Sequence, residues 1–168
     1  MDAQTLREVQ EPLKAKYRTD PASAIVTLHA TGSLGEGLSC SVDTGRMLAE
    51  AGLHPATGGD GSQLCSGDML LQALAACAGV TLRAVATSLG VEVHGGTVRV
   101  EGDLDFRGTL AVDKQAPVGF QQVRVSVILD TDATQEQLET LRRLAERYCV
   151  VFQSLARPPA LSFELQGD

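Results

Sequence analysis

One stretch limits the fold more than any other. Residues 67–89 are apolar almost all round when wound at 100° per residue, and only Asp68, Gln72, Arg83 and Thr87 share a narrow polar stripe. Ser66 is the expected N-cap, Asp68 suits the positive end of the helix, and Gly90 supplies the left-handed stop. A helix of this kind is covered on most sides. A chain of 168 residues is too small to enclose it alone. The expectation is therefore a homodimer, with the interface as the second cover. The most apolar part, residues 69–82, is interrupted by Gln72 and flanked by charge, and by itself it is too short to span a bilayer. No membrane partner is expected.

The remaining elements alternate less regularly. Residues 1–20 read as an N-terminal arm with a short helix over 8–16, and residues 21–168 as a single domain. Strands are expected over 24–30 and 38–42, joined by a glycine-bearing turn at 31–37. A glycine-rich loop spans 51–63. After the long helix come three long strands, 91–101, 103–112 and 119–129, the first with a bulge at His94-Gly95-Gly96 and the last two an antiparallel pair. Thr134 with Gln137 matches a capping box and opens a helix to Tyr148, with Leu138, Leu141 and Leu144 as its buried stripe. A short helix follows over 149–155, Pro158-Pro159 ends it, and 161–165 reads as a last strand. This order is α+β rather than regular βαβ.

Composition excludes several classes of function. A net charge of −7 with no basic run argues against nucleic-acid binding, which needs Lys and Arg to neutralise phosphates. Gly58-Gly59-Asp60-Gly61 matches neither the dinucleotide fingerprint nor the P-loop, which also needs a lysine. His29, His54 and His94 lie on separate elements with no ligand spacing, so no metal is expected. The polar N-terminus has no apolar signal core, so the expected compartment is the reducing cytoplasm.

Thiols are the remaining chemistry. Cys77 sits mid-helix among small residues, Ala75-Ala76-Cys77-Ala78-Gly79, which let another group approach its sulfur. Cys149 lies where one helix ends and another begins, a place that favours the thiolate. Free cysteines are also common as small core hydrophobes, and residue chemistry leaves that alternative open. Cys40, in a strand, reads as core, and Tyr148 as an anchor for its helix.

Two segments add a resemblance. Ser66-Gly67-Asp68-Met69-Leu70-Leu71-Gln72-Ala73-Leu74-Ala75-Ala76-Cys77-Ala78-Gly79-Val80-Thr81-Leu82 resembles the central-helix signature of the OsmC/Ohr family (osmotically inducible protein C and organic hydroperoxide resistance protein). Cys149-Val150-Val151-Phe152-Gln153-Ser154-Leu155 resembles its second cysteine motif, usually Cys-Pro-x-Ser. The resemblance implies an intertwined α+β homodimer, its antiparallel sheets wrapped around buried central helices. It also implies a thiol peroxidase for small organic hydroperoxides. Cys77 would attack the peroxide and Cys149 would resolve the sulfenic acid to a disulfide. The implied partner is an external dithiol reductant, and no bound cofactor is implied.

The resemblance is incomplete. The family's peroxidases place an Arg on an N-terminal turn and a Glu before the central helix; Leu34 and Gly67 stand there instead. Asp68 follows one position later, about 13 Å along the helix from Cys77 and on the opposite face. Arg18, Arg46 and Arg83 are candidate substitutes, and Cys65, at the start of the helix, is a candidate third redox thiol. Two other readings stand beside the peroxidase. One is a non-catalytic or weakly catalytic dimer that binds a small apolar or thiol-reactive ligand. The other is a structural dimer with inert thiols.

Overall fold

The computed structural model describes residues 2–5, 8, 10, 15, 19, 31–34, 40–43, 48–111 and 113–167, with only the backbone given for 31–34, 40–43 and 48. Strands β1 (Thr31–Leu34), β2 (Cys40–Asp43), β3 (Leu48–Gly52) and β4 (Leu64–Cys65) form one sheet in that order. The first three run antiparallel, with Thr31 opposite Asp43 and Cys40 opposite Ala51. β4 adds two parallel residues, Leu64 beside Ala51 and Cys65 beside Gly52. A 3-10 turn, Pro55–Thr57, lies in the connecting loop, where the His54 ring nitrogen accepts from the Ala56 N–H at 3.0 Å.

Helix α1 (Ser66–Leu89) follows directly. Cys65, not Ser66, is its N-cap, and Gly90 closes it in the left-handed region at φ 68°. Strand β5 (Gly95–Asp103) pairs antiparallel with β6 (Gln122–Asp130), in register from Gly95 opposite Asp130 to Asp103 opposite Gln122. Arg124 clamps Asp103 through both guanidinium nitrogens at the far end of that ladder. Gly102 lies under the Phe120 ring so closely that an added Cβ would sit 2.6 Å from it. Between the strands lies a one-turn helix, α2 (Phe106–Thr109), capped by Asp105. Helix α3 (Gln135–Tyr148) opens with both bonds of the Thr134/Gln137 capping box, and α4 (Val150–Ala156) follows after Cys149.

α1 packs against β5, α3 and α4. Leu82, Ala86, Val91 and Leu141 form the buried core, with Leu129 and Ala145 against it. β6 turns Val123, Val125, Val127 and Leu129 toward this layer. α1 is long and apolar enough to cross a bilayer, so the sequence reading of a stretch too short to do so understated it. Its contacts make it instead the central helix of this fold.

Several sequence expectations are corrected. Residues 31–34 are strand rather than turn, because they pair with β2. β3 was not anticipated. Residues 91–94 precede the ladder, and no bulge interrupts it: Gly95 and Gly96 pair in register. The expected strand 103–112 breaks at the Asp105 cap, so β6 pairs with β5 instead. Residues 161–165 form no strand here; Leu161, Phe163 and Leu165 are 88%, 93% and 89% exposed. Tyr148 is exposed, with Arg147 over its ring, rather than the anchor expected for its helix. The central helix is only partly covered: Leu74, Leu82 and Ala86 are buried, while Val80 is 72% exposed. The expected strand 24–30, the side chain of Cys40, Arg18 and Arg46 lie outside the described residues, as do His29 and most of the expected helix 8–16.

Candidate active site

The pairing of Cys77 with Cys149 follows from how α1 meets the α3–α4 junction. Cys77 is in the middle of α1, half-buried, with small neighbours on both sides. α3 stops at Tyr148 because Cys149 takes extended backbone angles (φ −72°, ψ 108°). Cys149 then caps α4 by backbone position only; its side chain makes no capping bond. Cys149 is 2% exposed, and its thiol lies close enough to that of Cys77 for each to affect the other's acidity. Cys65, Cys77 and Cys149 are all reduced.

Their surroundings displace the two thiols in opposite directions. Burial pushes Cys77 up, but donors outweigh it: the Val151 N–H, the Cys149 thiol, the Thr81 hydroxyl and the Val150 N–H together hold it below the ordinary thiol value. Cys149 is pushed up chiefly by burial; the Phe152 N–H pulls the other way, and the neighbouring Cys77 adds to the rise. Of the two thiols, Cys77 is therefore the more readily ionised.

An apolar groove of about 480 Å³ reaches this pair from the Cys149 side. Its walls are Val125, Val127 and Leu129 of β6, Ala78 and Leu82 of α1, and Leu138 and Leu141 of α3, with Phe152 beside Cys149. Arg142 and Glu146 stand at its rim, and Arg142 is bound by Glu139 at 2.7 Å and Glu146 at 2.9 Å.

The other candidates lie elsewhere. Cys65 and Asp68 line a separate cavity of about 350 Å³ with His54, Phe106 and Phe120, where the His54 ring stacks on Phe106 at 4.9 Å. Twelve residues of helix, about 18 Å, separate Cys65 from Cys77. Arg83 donates to the Val93 carbonyl at 2.7 Å. His94 pairs with Asp132 at 3.3 Å on the surface. Among the described residues no group of three or more His, Cys, Asp or Glu side chains could hold a metal ion. The sequence reading missed Thr81 and the α4 N–H groups. The i,i+4 spacing of Thr81 from Cys77 is the signal that could have found it.

Comparison with known proteins agrees with this architecture. Residues 59–164 match the family model described as OsmC-like protein. No curated protein matches in sequence. An OsmC-like protein from Mycoplasma pneumoniae superposes with a TM-score of 0.67 at 14% identity, over 79% of this chain and 89% of that one. An organic hydroperoxide resistance protein from Elizabethkingia anophelis gives 0.64 at 16% identity, covering 80% and 91%. One from Legionella pneumophila, named organic hydroperoxide resistance protein OsmC, gives 0.62 at 18%, covering 79% and 91%. At these identities the superpositions show the fold, and the match to the family model over most of the chain places this protein in the OsmC/Ohr family.

Proposed function

We propose that the protein is a thiol-dependent peroxidase for small organic hydroperoxides. The observation that carries this reading is the meeting of Cys77 on α1 with Cys149 at the α3–α4 junction, their acidities displaced in opposite directions. The Cys77 thiolate attacks the terminal oxygen of ROOH. The S–O bond forms as the O–O bond breaks, and the alkoxide leaves and takes up a proton to become ROH. Sulfur is oxidised by two electrons to the sulfenic acid while the peroxide is reduced. Cys149 then attacks the Cys77 sulfur; a disulfide forms, and the hydroxyl leaves as water with the Cys149 proton. An external dithiol reduces the disulfide, and no bound cofactor takes part. The groove beside Cys149 suits an alkyl or aryl peroxide better than hydrogen peroxide, because apolar walls gain from covering apolar substrate.

The working unit in this reading is a homodimer. Val80 and Leu70 leave α1 open on one side, and Leu161, Phe163 and Leu165 are largely exposed. A second copy would cover both.

The test follows cumene hydroperoxide in stopped flow with mass-spectrometric disulfide mapping. Consumption with a Cys77–Cys149 disulfide supports the reading. Equal consumption by Cys77→Ser overturns it. The groove also favours a second reading, since it reaches Cys149 and not Cys77: a dimer that binds a small apolar ligand without turnover. Saturable binding of an apolar probe together with no peroxide consumption would select it.

A further inference from the structure

The last turns of α3 and the end of α4 border a groove of about 630 Å³ lined by Arg142, Arg143, Glu146, Arg147, Gln153 and Arg157. The chain as a whole has 21 acidic residues against 14 lysines and arginines. In this groove the balance is reversed. Its lining holds four guanidiniums. Glu146 in the lining and Glu139 beside it are the carboxylates, and Arg142 already binds both, at 2.9 Å and 2.7 Å. Four positive charges against two negative ones leave a surplus of two. Arg143, Arg147 and Arg157 form no salt bridge among the described residues.

The needs of the fold do not account for this cluster. The negative end of α3 suits Arg147, which lies in its last turn. Arg143 stands one turn earlier on the same face, and like charges four residues apart destabilise a helix. Arg157 follows α4 and is carried to the same groove by two bonds. The Gln153 side chain donates to the Glu146 carbonyl at 2.9 Å, and the Arg157 N–H donates to the Gln153 carbonyl at 2.9 Å. Arg147 is held over the Tyr148 ring, 5.7 Å from its centroid.

We propose that this groove binds a phosphate monoester group. At neutral pH such a group carries a charge of about −1.5 to −2, which matches the surplus. Its three terminal oxygens accept forked hydrogen bonds from guanidiniums that approach from two helices. A single carboxylate brings one charge and two oxygens and leaves the groove half neutralised. A nucleic-acid strand brings many phosphates, and the net charge of −7 repels those outside the groove. The group comes on a small organic phosphate or on a phosphorylated side chain. This groove shares Arg142 and Glu146 with the apolar one, but its use does not depend on peroxidase chemistry.

The test is isothermal titration calorimetry of the full-length protein, in low-salt buffer free of phosphate and sulfate. The probes are glycerol 3-phosphate and a short end-blocked peptide carrying one phosphoserine between glycines. Saturable binding supports the proposal. Tighter binding of glycerol 3-phosphate assigns the group to a small molecule, and tighter binding of the peptide assigns it to a modified chain. Arg143→Gln and Arg157→Gln should each weaken binding about tenfold, because each removes charge-assisted hydrogen bonds. Both side chains are exposed, so the circular dichroism of these variants should match wild type. Arg99→Gln should bind as wild type does, since Arg99 lies on β5 and pairs with Glu101 at 2.8 Å. No saturation with either probe overturns the proposal. So does wild-type binding by the Arg143→Gln/Arg157→Gln double variant, or an equal loss in Arg99→Gln, which would show that the ligand senses overall charge alone.

Discussion

Cys77 of α1 and Cys149 at the α3–α4 junction face each other with their acidities displaced in opposite directions, and that relationship sets different tasks for the two residues. Cys77 gives up its proton more readily than Cys149. Cys77→Ser should reduce hydroperoxide consumption to the uncatalysed background. Cys149→Ser should keep the first turnover and stop there, with the sulfenic acid on Cys77 trapped by dimedone. A disulfide-free Cys149→Ser protein that still turned over repeatedly would remove Cys149 from the cycle.

The reaction should become faster as pH rises and level off below the ordinary thiol value of about 8.5, because Cys77 is held below it. Pre-steady-state rates between pH 5 and 9 check this. The native state also loses this proton before the unfolded chain does. Ionisation of Cys77 thus adds to folding stability above the unfolded thiol value, and that contribution is lost as pH falls through the lowered native one. Cys149, raised, has the opposite sign: its contribution is present below the ordinary value and lost as pH rises through the raised one.

Leu141 fills the contact between α3 and α1 at 1% exposure. Leu141→Ala should destabilise the fold by about 2–5 kcal/mol, since little around the cavity can collapse into it. Urea unfolding monitored by circular dichroism would show this as a lower midpoint with an unchanged slope.

Thr134 supports α3 from outside the core. Thr134→Ala removes the bond to the Gln137 N–H and should cost about 1 kcal/mol in the same assay. Thr134→Ser should restore most of it.

Val80→Lys tests the proposed dimer. The side chain is 72% exposed in the single chain, so a lysine there should barely disturb the monomer's own packing. Buried between two copies, it would be an unpaired charge. Sedimentation velocity should show wild type as a dimer and Val80→Lys as a monomer. Identical sedimentation of the two would place any interface away from this face of α1.

The elements that were legible in the sequence are those whose signals are local. α1 announces itself by its apolar run and by Gly90, which relieves a left-handed end that any other residue would strain. α3 announces itself by Thr134 and Gln137, which satisfy each other's backbone within four residues. Strands gave less away. Residues 103–112 carry enough Leu, Phe and Val to read as a strand, yet the Asp105 side chain caps a turn there and no ladder forms. Residues 161–165 have the alternation of a strand and pair with none of the described strands. A strand's hydrogen bonds go to another strand, so composition alone cannot complete it.

The site divides along the same line. The two cysteines and their motifs were readable residue by residue. Which thiol is the more acidic was not, because Cys149 and the start of α4 come beside Cys77 only when α4 docks against α1. The sequence by itself determined which groups are able to donate or to lose a proton. The tertiary structure decided which sulfur those donors reach and which it buries away from water, and a thiol's acidity depends on that balance between burial and hydrogen bonding.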